Sequence, residues 1–219
     1  MTTSLRRAAG SLLVVGLGGT ELTGLERAWL RLVRPAGIIL FRRNIADPQQ
    51  TRTLLDEATG LGAPHSLRCV DVEGGTVDRL RDALAPIPSA QAVAHAALNS
   101  NRPQIARQHG ELIGQAVKAF GFNTTLAPVL DLGLPDSAEV MGTRAAAEMA
   151  AGVVDYARAF LSGLPHRALQ DAANISPDSA AERAIRIWKL RRSTVARASC
   201  GTKTLSLTER CAMICQSSW

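Results

Sequence analysis

Apolar residues fall along this chain in short unbroken runs, separated by longer stretches with helical spacing. Residues 11–16 read as a buried strand. Residues 21–34, "ELTGLERAWLRLVR", place Leu22, Leu25, Trp29 and Leu32 near a three-to-four spacing, the period of one apolar helix face. "GIILF" (37–41) predicts a second buried strand. "DPQQTRTLLDEATGL" then opens a helix, with Asp47 as its N-cap acceptor and Pro48 at the first helical position, where a fixed φ helps and a missing N–H costs nothing. "LRCVDV" (67–72) predicts a third strand, 104–120 a helix ended by Gly121, "TTLAPVLDL" (124–132) a fourth strand, and 145–163 a long helix.

Strands alternating with helices imply right-handed crossovers and a parallel sheet, hence an α/β fold. Strands that are apolar throughout, with polar residues at their C-terminal ends, fit a (β/α)8 TIM-type barrel, whose active site lies in the loops after the strands. A doubly wound dinucleotide fold is the rival, but "GLGGT" is too weak a glycine pattern and no G-x-G-x-x-G opens a helix. A whole barrel needs roughly 250 residues. Residues 1–164 supply about its N-terminal half, so an open strand edge and an uncovered apolar face are expected.

Composition changes the picture only when it is divided. The 219 residues are 46% hydrophobic and 20% charged, as in an ordinary globular protein, with a pI near 9.8. Residues 1–164 carry 16 Lys and Arg against 15 Asp and Glu, whereas 165–219 carry 9 against 4. The basic balance therefore belongs to the tail, which also holds Cys200, Cys211, Cys215 and two of the three tryptophans, but one of the 18 glycines. Cys69, alone in an apolar strand, reads as a core residue in a reducing compartment, and a cytoplasmic location is expected. The tail cysteines lack matching ligand pairs for zinc, and no segment is long enough to span a membrane. Two arginines before the first apolar run evoke a signal peptide, but the run ends in Gly and a charged helix without a small-x-small cleavage site, and a strand is the stronger reading.

Candidate chemistry sits at the strand ends. "CVDVEGGTVDRLR" (69–81) puts Asp71 and Glu73 after the third strand, Gly74 and Gly75 in a tight turn, and Arg79 and Arg81 where they can fold back over a pocket mouth. A carboxylate that accepts two sugar hydroxyls beside an arginine makes a carbohydrate subsite. Spacing alone slightly favours Asp71 as a helix cap or as a structural partner of Arg79. Asp131 ends the fourth strand, and Arg144 lies in the loop "MGTRA", where it also reads as a solvated helix start. His65, His95, His109 and His166 have no partners at metal spacing and read as surface or satisfied histidines.

Four stretches, "GIILFRRNI", "DVEGGTVDR", "NTTLAPVLDL" and "VMGTR", stand in the order and spacing of family 3 glycoside hydrolases. The chain resembles the N-terminal barrel half of their bacterial β-N-acetylglucosaminidase branch, which recycles cell-wall (peptidoglycan) sugars. The resemblance implies that Asp71, Arg79 and Arg144 are substrate-binding. It implies no metal and no cofactor, and an N-acetylglucosamine-containing glycan or muropeptide as partner rather than nucleic acid or a membrane. It also requires a K-H-F-P-G loop, a D-S-H whose histidine is the general acid/base, and a late aspartate nucleophile. This sequence contains none of the three.

A frameshift near residue 165 accounts for the loss. Residues 173–178, "ANISPD", can be encoded GCA AAC ATT TCC CCG GAC. Read one base earlier, after a G, the same bases give G-K-H-F-P-G. Continued through Lys189, that frame admits L-G-G-G-T-R-D-S-H-L-E at the family's spacing, and the Trp188–Lys189 junction forces its glutamate. The expected organisation is thus a partial family 3 barrel over 1–164 and an out-of-frame, poorly ordered tail over 165–219, inactive for want of both catalytic groups. Two alternatives remain: a non-catalytic sugar-binding half barrel, and a nucleic-acid-binding tail acting through "RAIRIWKLRRSTVAR" (183–197).

Overall fold

The strands of the main sheet lie side by side in the order in which the chain makes them. In the computed structural model, which describes residues 2–63, 66–165 and 170–171, five parallel strands run β1 (Val14–Gly16), β2 (Gly37–Leu40), β3 (Leu67–Val70), β6 (Thr124–Thr125) and β7 (Gln170–Asp171). Each is in register with its predecessor, from Val14 opposite Gly37 to Thr125 opposite Asp171. A doubly wound sheet would reverse its order at the middle. This one never does, which is the progression of a barrel wall. Of the tail expected to be out of frame over 165–219, only Pro165 and Gln170–Asp171 are described, the latter pairing with β6 as β7, and Cys200, Cys211, Cys215 and "RAIRIWKLRRSTVAR" lie outside the described residues, as do His65 and His166.

Helices α1 (Thr2–Gly10), α2 (Gly24–Val33), α3 (Pro48–Gly60), α4 (Ala90–Asn99), α5 (Gln104–Ala119), α6 (Ala138–Met141) and α7 (Ala150–Gly163) fill the connections. Helix α3 starts as the sequence predicts: the Asp47 carboxylate accepts from the Gln49 and Gln50 amides at 2.8 Å, with Pro48 beginning the first turn. Helix α2 carries a capping box, in which Thr23 accepts from the Glu26 amide while Glu26 accepts from the Thr23 amide. Helix α5 stops where Gly121 takes φ 89°. Helices α5 and α7 meet backbone to backbone. A Cβ on Gly110 would lie 2.0 Å from the Phe160 carbonyl oxygen, and one on Gly163 would lie 2.0 Å from that of Arg107.

Four expectations are corrected. The stripe Leu25, Trp29 and Leu32 does not face the core; these side chains are 81%, 42% and 55% exposed, and α2 packs through Leu30 instead. Its period was real, but the described residues place nothing over that face, and β1 beside it pairs only with β2 among them. The third strand ends at Val70, and Val72–Gly74 (β4) folds into an antiparallel hairpin with Val77–Asp78 (β5). The fourth strand keeps only Thr124 and Thr125 in the ladder, because after Leu126 the chain leaves β3 and Pro128 has no N–H to donate. The long helix begins at Ala150 rather than 145, since Ala147 is spent accepting from the Gly133 amide. Helices α1 and α4 have no counterpart in the sequence reading.

Candidate functional site

The parallel strands point their C-terminal ends at one rim, and the polar residues after β1, β2 and β3 gather there. Buried Asn44, in the turn after β2, ties the first two loops together. Its Nδ2 donates to the Leu17 carbonyl at 3.0 Å and to that of Gly19 at 2.8 Å, while its Oδ1 accepts from the Phe41 amide at 2.9 Å. Arg43 donates to the same Leu17 carbonyl at 3.1 and 3.2 Å and lies 5.0 Å from the Phe41 ring centre. The sequence reading used this stretch only as a family mark; its role is to fix the floor beside β3.

Directly after β3 the chain makes its hairpin. Gly74 and Gly75 take φ 83° and 61°, and a Cβ on Gly74 would stand 2.0 Å from the Pro88 carbonyl oxygen, so glycine is required there twice over. The hairpin is closed from below by buried Asp78, whose carboxylate accepts from the Leu80 amide at 2.9 Å and the Ile87 amide at 3.3 Å. This geometry brings Asp71, Glu73 and Arg79 to the rim.

Two ion pairs result, and they differ. Arg79 reaches Asp71 at 3.4 Å, a long contact, with side chains 30% and 15% exposed; its guanidinium carbon lies 5.8 Å from the Phe41 ring centre. Arg144, brought in by the turn Gly142–Arg144, grips Glu73 with two bonds, Nε to Oε2 at 2.8 Å and Nη2 to Oε1 at 2.9 Å. The Glu73 side chain is 2% exposed and that of Arg144 23%. The bonds to Glu73 push the Arg144 pKa upward against the opposing effect of burial, and the charges of Asp131 and Asp71 add to the rise. Arg81 does not join either pair, and its Nε is buried without a hydrogen-bond partner.

Asp71, Arg79 and Arg144, the three residues singled out by the family resemblance, lie in one electrostatic cluster, with Glu73 and Asp131 also acting on Arg144. Asp71 does pair with Arg79, but through a single long contact that leaves both side chains partly exposed. His95 is exposed, whereas His109 is buried in α5 against Tyr156 of α7. The period of the α5 face, Ala106, His109, Ile113 and Val117, carried the signal that His109 is interior. Among the described residues no helix is long and apolar enough to cross a membrane. A cavity of about 580 Å³ bordered by Arg34, Asp56, Arg68 and Asn123 lies at the N-terminal strand ends, away from this cluster.

Comparison with known proteins gives the chain a family. The chain is 39% identical over 158 residues to a beta-hexosaminidase of Stenotrophomonas maltophilia, covering 70% of this chain and 46% of the relative. An Idiomarina loihiensis beta-hexosaminidase is 34% identical over 152 residues. The chain thus spans about half the length of the curated relatives it matches. Among solved structures it is similar to NagZ from Neisseria gonorrhoeae in complex with N-trifluoroacetyl-D-glucosamine, with TM-score 0.65 and 29% identity over 70% of this chain and 46% of that one. It is also similar to a family 3 β-N-acetylglucosaminidase from Paenibacillus, with TM-score 0.67 and 27% identity over 78% and 32%. The N-terminal domain of glycosyl hydrolase family 3 matches residues 5–175, and the chain belongs to that family.

Proposed function

We propose that residues 1–164 are the sugar-gripping half of a retaining β-N-acetylglucosaminidase of peptidoglycan recycling, and that residues 165–219 are read out of frame. The observation that carries the first part is the gathering of Asp71, Arg79 and Arg144 on one rim, with the acceptor partly exposed and both cations near it. Asp71 accepts hydroxyl protons of a terminal N-acetylglucosamine, and Arg79 and Arg144 donate to its oxygens. A bound amino-sugar analogue in the Neisseria relative supports this substrate class. A single cysteine in residues 1–164, Cys69, buried in β3, fits a cytoplasmic enzyme.

In the parent enzyme an aspartate attacks the anomeric carbon and a histidine protonates the leaving oxygen, then activates the water that releases the sugar. Both groups are missing from this sequence. Glu73 cannot stand in for the nucleophile, because both its oxygens are occupied by Arg144. The chain is therefore inactive. A non-catalytic sugar-binding role is the second reading, favoured by the persistence of all three binding side chains.

The coding DNA around residues 160–190 tests the frameshift: read one base earlier it must give both K-H-F-P-G and D-S-H, and either missing motif refutes it. In the frame-restored enzyme, Asp71→Ala and Arg144→Ala each weaken transition-state binding by about 2–4 kcal/mol, as for a charged hydrogen bond lost in a desolvated site. Unchanged kcat/KM in both would remove them from the site.

A further inference from the structure

Arg79 has the weaker polar hold of the two arginine arms. Its backbone is fixed, the Arg79 amide donating to the Asp71 carbonyl at 3.1 Å. Beyond the backbone, Nη2 reaches the Asp71 carboxylate at 3.4 Å, and Nε is buried with no hydrogen-bond partner among the described residues. A long side chain with many rotamers is not held in place by one contact of that length.

The guanidinium lies instead on an aromatic surface. Its carbon is over the Phe41 ring, 5.8 Å from the ring centre, within reach of the attraction between a cation and the negative face of an aromatic ring. That ring is itself fixed. Phe41 follows β2 directly, and its amide donates to Oδ1 of buried Asn44 at 2.9 Å. A Cβ on Gly16, at the end of β1, would touch the ring edge at 3.4 Å. Arg43 lies over the same ring at 5.0 Å, and its Nε and Nη2 are held by the Leu17 carbonyl. Phe41 thus extends the frame of the first two strands to an arginine that comes from the hairpin after the third.

We propose that Phe41 is a positioning residue: its ring face holds the Arg79 guanidinium at the rim, so that Arg79 keeps its place when Asp71 exchanges it for another partner. A hydroxyl arriving there meets an arm already oriented, and binding does not have to order a long side chain first. The consequence for sugar recognition rests on the reading of Arg79 given above; the hold on its guanidinium does not.

The test therefore uses no sugar. The purified 219-residue chain is treated with phenylglyoxal, and modification rates at Arg79 and Arg144 are read by peptide mass spectrometry against exposed Arg158. Phe41→Leu keeps apolar bulk and loses the ring face. Arg79 then reacts about two- to five-fold faster, the factor commanded by one cation–ring contact at a partly exposed site. Arg144, held by Glu73, stays at its wild-type rate. Phe41→Tyr keeps the ring face and restores the wild-type rate at Arg79. Asp71→Asn speeds Arg79 less than Phe41→Leu does. Arg79 unchanged in Phe41→Leu overturns the proposal. Arg79 and Arg144 rising in step also overturns it, because that is general loosening of the rim. Phe41→Tyr as fast as Phe41→Leu removes the ring face as the cause, and Asp71→Asn faster than Phe41→Leu makes the carboxylate the holder; either result refutes the proposal. Where Phe41→Leu does not fold, a ring-fluorinated phenylalanine at position 41 keeps the shape, weakens the negative face and is read by the same outcomes. Failure of N-acetylglucosamine to protect Arg79 would count against the sugar site and leave this result standing.

Discussion

Arg79 and Arg144 are both arginines paired to a carboxylate from one three-residue stretch, yet their environments assign them different work. The Arg79–Asp71 contact is long, single and half-open, so water or a hydroxyl can replace either partner at little cost. The Arg144–Glu73 contact is bidentate with the carboxylate buried, so it fixes geometry and is expensive to break. The break between β3 and β4 explains the contrast, because Glu73 lies within the hairpin strand and Asp71 before it. Glu73 turns inward from the rim while Asp71, two residues earlier and just past the end of β3, stays at its edge. A sugar site built this way has one arm that exchanges partners and one that does not.

The largest effect should come from breaking the closed pair. Arg144→Ala leaves the Glu73 carboxylate buried without its cation and should destabilise the chain by about 3–5 kcal/mol in urea unfolding. A loss below about 1 kcal/mol would mean that the closed pair is no stiffer than a surface one.

The next effect is set by pH. His109 is neutral in the folded chain down to about pH 4, whereas an unfolded histidine takes its proton near 6.5. Above pH 6.5 neither state is protonated and the residue contributes nothing to the slope. Between pH 6.5 and 4 the unfolded state binds the proton and the folded state does not, so stability falls as pH falls, by about 3 kcal/mol in all. The difference between the wild type and His109→Gln in urea midpoint isolates this slope; parallel curves across that window would place His109 in a far more solvated site than the α5–α7 core.

Breaking the open pair should matter least for folding. Asp71→Asn is expected to change unfolding free energy by less than about 1 kcal/mol, since the contact is a single long bond at the partly exposed rim. A cost like that of Arg144→Ala would erase the distinction. Smaller still, Leu25→Lys on the outer face of α2 should stay within about 0.5 kcal/mol. A loss of several kcal/mol there would restore the buried stripe that the sequence period implied.

How far the sequence carried this account depended on how local the cause was. The Asp47 cap, the Gly121 stop and the positive φ at Gly74 and Gly75 follow from single residues and their neighbours, and each is found in place. The grouping of Asp71, Arg79 and Arg144 came from the family resemblance, since spacing alone also allowed Asp71 as a helix cap and Arg144 as a solvated helix start. What escaped was what depends on a second element. The side of α2 that is buried is decided by its neighbours, not by its period. The start of α7 is set by the Gly133–Ala147 hydrogen bond, against the helix propensity of its alanines. Glu73 as a fixed brace rather than a reactive group is visible only once Arg144, far along the chain, is seen to fill both its oxygens.

The most direct measurement is release of the aryl alcohol from an aryl N-acetyl-β-glucosaminide by the purified 219-residue chain, against a heat-killed control. With Asp71, Arg79 and Arg144 present but no nucleophile or acid/base, the account predicts no release above the control, and turnover once the reading frame is restored. Turnover by the unrestored chain that disappears in Glu73→Gln would contradict it, because the residue assigned here as a brace would then be the catalyst.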